Sequence, residues 1–172
     1  MPFTPFHMGP GLAAKAVLGR HLSLMVFGFS QVAIDVEPLV RIVRGDAVVH
    51  GITHTYFGAA LVAAISVGLG RPICQILLNH WAPDPRAPFL NALTGARLIG
   101  WPAAIVGALV GTYSHVLLDS VMHADMRPFS PISDANVALR LISVGGLHVL
   151  CVVSGVFGAL LLGMSHRRRR RG

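Results

Sequence analysis

Residues 11–36 read GLAAKAVLGRHLSLMVFGFSQVAIDV. A bilayer is crossed by about 20 apolar residues in a helix, and the whole stretch is long enough to do so. Lys15, Arg20 and His21 interrupt it, grouped around Gly19. Glycine followed by basic residues is a helix-stop signal. The stretch therefore reads as two short helices, about 10–18 and 21–36, folded back as a hairpin. One long span is the alternative. The first helix is too short to cross alone. Such a pair is re-entrant or half-buried, and holds in lipid only when packed against other helices.

Composition places that hairpin in a membrane. The 172 residues are 53% hydrophobic and 12% charged, with a mean hydropathy of +0.66. Soluble domains carry about 25% charged residues, twice this share. The net charge of +7 does not read as a nucleic-acid footprint, because five of the 14 Lys and Arg form the run Arg167–Arg171 behind an apolar segment. That is the pattern of a cytoplasmic anchor flanking a span. Cys74 and Cys151 lie far apart in apolar surroundings, which suits packing and gives no thiolate metal motif. The start MPFTPFHMGPG has no basic, apolar and small-residue succession, so no removable signal peptide is expected.

Three further segments have spanning length: Thr55–Gly70, extendable through Ile73; Leu98–Met122; and Leu139–Met164. All are glycine-rich, which lets helices in lipid approach closely. Residues 74–96 hold a short apolar piece and then prolines, and read as an interfacial loop, with Trp81 and Trp101 at headgroup level. The expected fold is all-α: a polytopic bundle of three full spans plus the N-terminal hairpin, or four spans. Residues 1–165 form one membrane-embedded domain, and 166–172 a basic cytoplasmic tail. In the hairpin reading, Lys15, Arg20, Arg71, Arg86, Arg97 and the arginine run share one side, which the positive-inside rule makes cytoplasmic. Arg41, Arg44, Arg127 and Arg140 lie on the other.

That second side collects costly residues. In GTYSHVLLDSVMHADMRPFSP, residues 111–131, His115, Asp119 and His123 are spaced four apart and share one helix face. A carboxylate in hydrocarbon costs roughly 2.5–3.5 kcal/mol on insertion scales. A divalent cation would offset it, and imidazole with carboxylate suits zinc first, then iron or manganese. Asp35 closes the hairpin's second helix, His54 opens the next span, His50 lies one turn before, and His7 precedes the first short helix. All converge on this end. His148 would stand level with His115 if their helices are antiparallel neighbours. Asp125 reads as a turn cap or a partner of Arg127, and Glu37 as solvated or as a proton acceptor. His21, His80 and His166 fall on the cytoplasmic side.

FHMGPGLAAKAVLG (6–19), FGFSQVAIDVEPL (27–39), GITHTYFGA (51–59) and GTYSHVLLDSVMHADMRPF (111–129) together resemble the membrane-bound metal-dependent hydrolase family. Its bacterial members are described as LexA-regulated inner-membrane hydrolases of the YdjM type. The resemblance covers about residues 3–131, and its specific parts are the threonine–histidine motif at 53–55 and the S-H-x-x-x-D motif at 114–119. It implies a helical membrane protein with a metal held by His7, Asp35, His54, His115 and Asp119. VAID keeps only the last aspartate of the family's Pro-Asp-x-Asp, and His50 stands where arginine is usual. One carboxylate fewer implies one metal instead of two, or a replacement ligand such as His50 or Glu37. The order of ligands is also similar, more distantly, to zinc-dependent phospholipase C, whose later His-x-x-x-Glu pair is not visible.

The function expected is a metal-dependent hydrolase of the inner membrane. A metal-activated water would attack a lipid or lipid-linked phosphoester, so that membrane lipid is the partner and nucleic acid is not. Asp119 or Asp35 would orient the water, His123 or His50 would move the proton, and Arg127 would hold a phosphate. The rivals are a small ion or proton transporter, which the apolar IGWPAAIVGALVG disfavours, and a non-catalytic protein with a structural metal. Oligomeric state is not readable.

Overall fold

The computed structural model describes the backbone of residues 4–80 and 98–171 and the side chains of 6–80 and 98–165. Every regular element described is helical. In order these are α1 (Thr4–Leu18), α2 (Leu24–Ile34), α3 (Val36–Arg44), α4 (Tyr56–Ile65), α5 (Arg71–His80), α6 (Trp101–Met122) and α7 (Val144–Arg171). Three stretches are long and apolar enough to cross a membrane: Tyr56–His80, Trp101–Met122 and Val144–Ser165.

The hairpin forms where the basic residues interrupt the apolar run. Gly19 has φ +53°, a left-handed conformation that costs glycine nothing. A 3-10 turn follows at Gly19–His21, and Ser23 caps α2 by accepting from the Val26 N–H at 3.3 Å. Lys15 is buried in this turn, its Nζ donating to the Leu22 carbonyl at 2.7 Å. It therefore serves the turn as a donor and is not a free surface cation.

Three expectations need correction. α1 starts at Thr4, not near residue 10, and carries His7 inside it. Packing on both sides of Pro10 overrides the proline: a Cβ on Gly9 would meet the Cys151 carbonyl of α7, and one on Gly11 the Phe27 ring of α2. The second helix ends at Ile34, and the chain turns at Asp35 into a separate α3. Pro38 explains the corner, since it has no N–H to extend α2 but fits the first turn of a new helix. Residues 74–80 are helical rather than loop, continuous with α4 through a π turn at Ser66–Gly70. The rest of that expected loop, with Trp81, lies outside the described residues. The arginine tail likewise continues the helical backbone of α7 to Arg171.

α6 is the central helix: 56% of its apolar window is buried inside the protein, against 28% and 22% for the other two spans. Gly107 and Gly111, one helical turn apart, make this possible. A Cβ on Gly107 would stand 2.5 Å from the Ser23 carbonyl oxygen, and one on Gly111 would strike Ser30 Oγ. Two backbones thus meet where lipid offers no hydrophobic drive and close packing must supply attraction. α1 and α7 meet similarly, with Gly155 facing the Gly9 Cα. At the far end Arg71 lies over the Trp101 ring, 4.2 Å from its centroid, and donates to the Ile99 carbonyl at 2.9 Å. That cation–aromatic pair is typical of a headgroup boundary.

Polarity is inverted relative to a soluble domain. Leu61, Ile65, Leu69, Val153, Phe157 and Leu160 are more than half exposed, as side chains that face lipid must be. Gln31, His54, Thr112, His115, Asp119 and Ser120 are buried. These groups lie toward one end, where α2 finishes, α4 begins and α6 finishes.

Candidate metal centre

Four elements deliver the cluster. His7 comes from α1, Asp35 from the α2–α3 corner, His54 from the 3-10 turn before α4, and His115 and Asp119 from one face of α6. Asp119 is fully buried at the middle. Its Oδ2 lies 3.3 Å from His115 Nε2, 3.5 Å from His54 Nε2 and 3.9 Å from His50 Nε2. Its Oδ1 lies 3.4 Å from His7 Nε2. Asp35 Oδ1 stands 3.2 Å from His115 Nε2 and 3.6 Å from His54 Nε2.

These separations identify what the group suits. Good N–H···O bonds lie near 2.9 Å. Ligand atoms about 2.1 Å from a tetrahedral ion stand roughly 3.4 Å from one another. Asp35, His54, His115 and Asp119 show 3.2, 3.3, 3.5 and 3.6 Å along the edges between their nitrogens and oxygens. They form one group that could hold a metal ion. Among the described residues, the buried Nε2 atoms of His54 and His115 and both Asp119 oxygens have no hydrogen-bond partner. Buried polar atoms are otherwise nearly always paired. A cation is the partner that would satisfy all of them together.

The opposite ring nitrogens are held. Gln31 donates its Nε2 to the Gly111 carbonyl at 2.9 Å, which fixes its Oε1 against His115 Nδ1 at 2.7 Å. With a proton on Nδ1, the neutral His115 ring would present its Nε2 lone pair to the site. Thr53 Oγ1 lies 3.1 Å from His54 Nδ1. The loop bearing His54 is pinned by Glu37, which accepts from the Thr53 N–H at 2.8 Å and the Ile52 N–H at 3.3 Å while pairing with Arg41 at 2.9 Å. Burial raises the Glu37 carboxyl, but these donors outweigh it and hold it below its ordinary range. Glu37 is thus engaged as a brace, not solvated.

Gln31→Leu tests the brace on His115. Metal affinity is expected to fall about 10–100-fold, the usual cost of losing such a support, with the helical fold kept. Titration of zinc into chelator-stripped protein measures it; unchanged affinity would detach Gln31 from the site.

One residue departs from its expected setting. Asp125 neither caps a turn nor pairs with Arg127. It accepts from the Val49 and His50 N–H groups at 3.0 and 3.1 Å, and from His50 Nδ1 at 2.9 Å. Burial opposes its ionisation, yet these donors hold its carboxyl at about 2. Arg127 is exposed and pairs with Asp134 at 3.4 Å. His148 packs its ring on Phe6, centroids 4.6 Å apart, and takes no place in the cluster. His123 follows α6, its ring 4.3 Å from that of His50. Asn136 steadies this helix end, donating to the Ser120 and His123 carbonyls at 2.9 and 3.2 Å. Gln31 and Asn136 carried no sequence signal, because amides in apolar runs pair with anything nearby in space.

Fold and site define a polytopic helical membrane protein with a buried His/Asp group able to hold a metal. The chain belongs to the YdjM inner membrane protein family, whose sequence pattern matches residues 13–172. The match runs through α6 and α7, beyond the motifs at 53–55 and 114–119, and begins after His7. Neither a curated protein nor a solved structure matches the chain.

Proposed function

We propose that this chain is a metal-dependent hydrolase acting on a lipid-linked phosphoester at the membrane boundary. The observation that carries the proposal is the set of ligand separations between 3.2 and 3.6 Å, with the buried Nε2 atoms of His54 and His115 and both Asp119 oxygens lacking a hydrogen-bond partner. Asp35, His54, His115 and Asp119 would hold the ion. A divalent cation in such a site lowers the pKa of a coordinated water from 15.7 toward about 7. Asp119 directs Oδ2 to the ligand group and Oδ1 to His7, so one oxygen is placed to orient a water while the other binds.

The site opens beside Asp35, whose side chain is 14% exposed while those of His54, His115 and Asp119 are sealed. α3 leaves from that same corner. It exposes Leu39, Val40 and Val43 alongside Arg44, the composition of a helix lying in the headgroup plane. A substrate reaching Asp35 would arrive past lipid, which favours a phosphoester carried on a lipid. The arginine run would place α7's C-terminal end in the cytoplasm and the site at the opposite face.

Purified protein is assayed on a panel of lipid phosphoesters and soluble phosphodiesters with added zinc or manganese, beside His115→Ala. Turnover of the lipid substrates, reduced more than about 100-fold in the variant, supports hydrolysis. Bound metal without turnover on any substrate would instead make the ion a structural staple.

A further inference from the structure

His50 and His123 are left over by the four-ligand group, and their surroundings are those of ligands. His50 is buried, its side chain 4% exposed. Its Nδ1 faces both Asp125 oxygens, at 2.9 and 3.0 Å, and the same carboxylate takes the N–H groups of Val49 and His50. A carboxylate gripping one ring nitrogen is the usual setting of a metal-bound histidine, because it fixes the tautomer and aims the other nitrogen. That other nitrogen, His50 Nε2, has no hydrogen-bond partner, nor has the buried Nε2 of His123. His50 Nε2 lies 3.9 Å from Asp119 Oδ2, which is partnerless too. A proton shuttle needs a ring free to exchange with water. This ring is sealed and locked.

We propose that His50 and His123 hold a second divalent cation beside the first, with Asp119 as the carboxylate shared between the two ions and Asp125 as the residue that positions His50. This rests on the Asp35–His54–His115–Asp119 group being a metal centre, and does not require hydrolysis. Asp125 belongs with His50 and His123 to one group whose ligand atoms all lie within 4.8 Å of one another, and its contacts with the Val49 and His50 N–H groups and with His50 Nδ1 give it the positioning role. Two imidazoles and a shared carboxylate leave open positions for water and a substrate oxygen. Paired ions of this kind clamp the attacking and departing oxygens of a phosphoester, which deepens the substrate class named above.

Metal content decides the matter without any assay of activity. The full chain in detergent is stripped with chelator, titrated with zinc, and its bound metal counted by mass spectrometry. Two equivalents are expected for the wild type and one for His123→Asn, the retained equivalent showing that the fold and the first site survive. Asp125→Asn is expected to weaken the second equivalent about 10–100-fold and leave the first unchanged. One equivalent in the wild type overturns the second site and spares the first. None overturns both. Two equivalents in His123→Asn, or the loss of both there, overturns the assignment of His123 to a separate position.

Discussion

Asp119→Asn is expected to empty the site. The amide keeps the volume of the carboxylate but removes the charge that faces four imidazoles: His7, His50, His54 and His115. Affinity for zinc should fall more than about 100-fold, beyond the 10–100-fold cost of losing a supporting hydrogen bond. Stability separates this from a packing defect. A ligand that binds only the folded state contributes about 2.7 kcal/mol at 100 times its dissociation constant. Zinc should therefore raise the melting temperature of the wild type and leave that of Asp119→Asn where it was. If zinc stabilises both equally, the ion sits elsewhere.

Gly107→Leu is expected to damage fold and site together. The contact it violates is backbone, the Ser23 carbonyl at 2.5 Å from an added Cβ. That carbonyl is not free to withdraw, because it accepts the Phe27 N–H at 3.0 Å within α2. Overpacking by a few methylenes costs about 1–3 kcal/mol and sometimes more; a leucine against main chain belongs at the upper end or beyond. α2 would be forced off α6, carrying Gln31 and Asp35 away from His115. Size-exclusion behaviour after heating, together with zinc content, reads both effects. Val153→Leu, on the lipid-facing side of α7, is the control and should change neither. A Gly107→Leu protein that stays monodisperse and fully loaded with zinc would show that α2 and α6 need not touch there.

The sequence was most legible where local chemistry decides structure. Gly19 among basic residues marked the hairpin. The four-residue spacing of His115 and Asp119 put both on one face of α6. The apolar lengths located three spans. What escaped was set by partners distant along the chain. Pro10 looked like a helix start because packing on α7 and Phe27 cannot be seen in a list of residues. Asp35 was legible as the end of the second helix, but the separate α3 that follows, with Pro38 in its first turn, was not. The grip of Asp125 on the His50 ring, across 75 residues of chain, could not be read from the order of residues. The pairing of Arg127 with Asp134 at the surface likewise carried no signal in the sequence. A buried polar group is only half described by its own position; the other half is whatever meets it across the bundle.

The seam between α1 and α7 bears on how such a chain is made. α1 rests against α7, the described helix furthest from it along the chain, main chain to main chain at Gly9 and Gly155. Until α7 emerges from the ribosome, α1 lacks that partner and has α2 and α6 beside it, the latter carrying the Asp119 that faces His7. The face of α1 that carries Gly9 therefore stays uncovered until then. This side of the bundle can close only once α7 arrives.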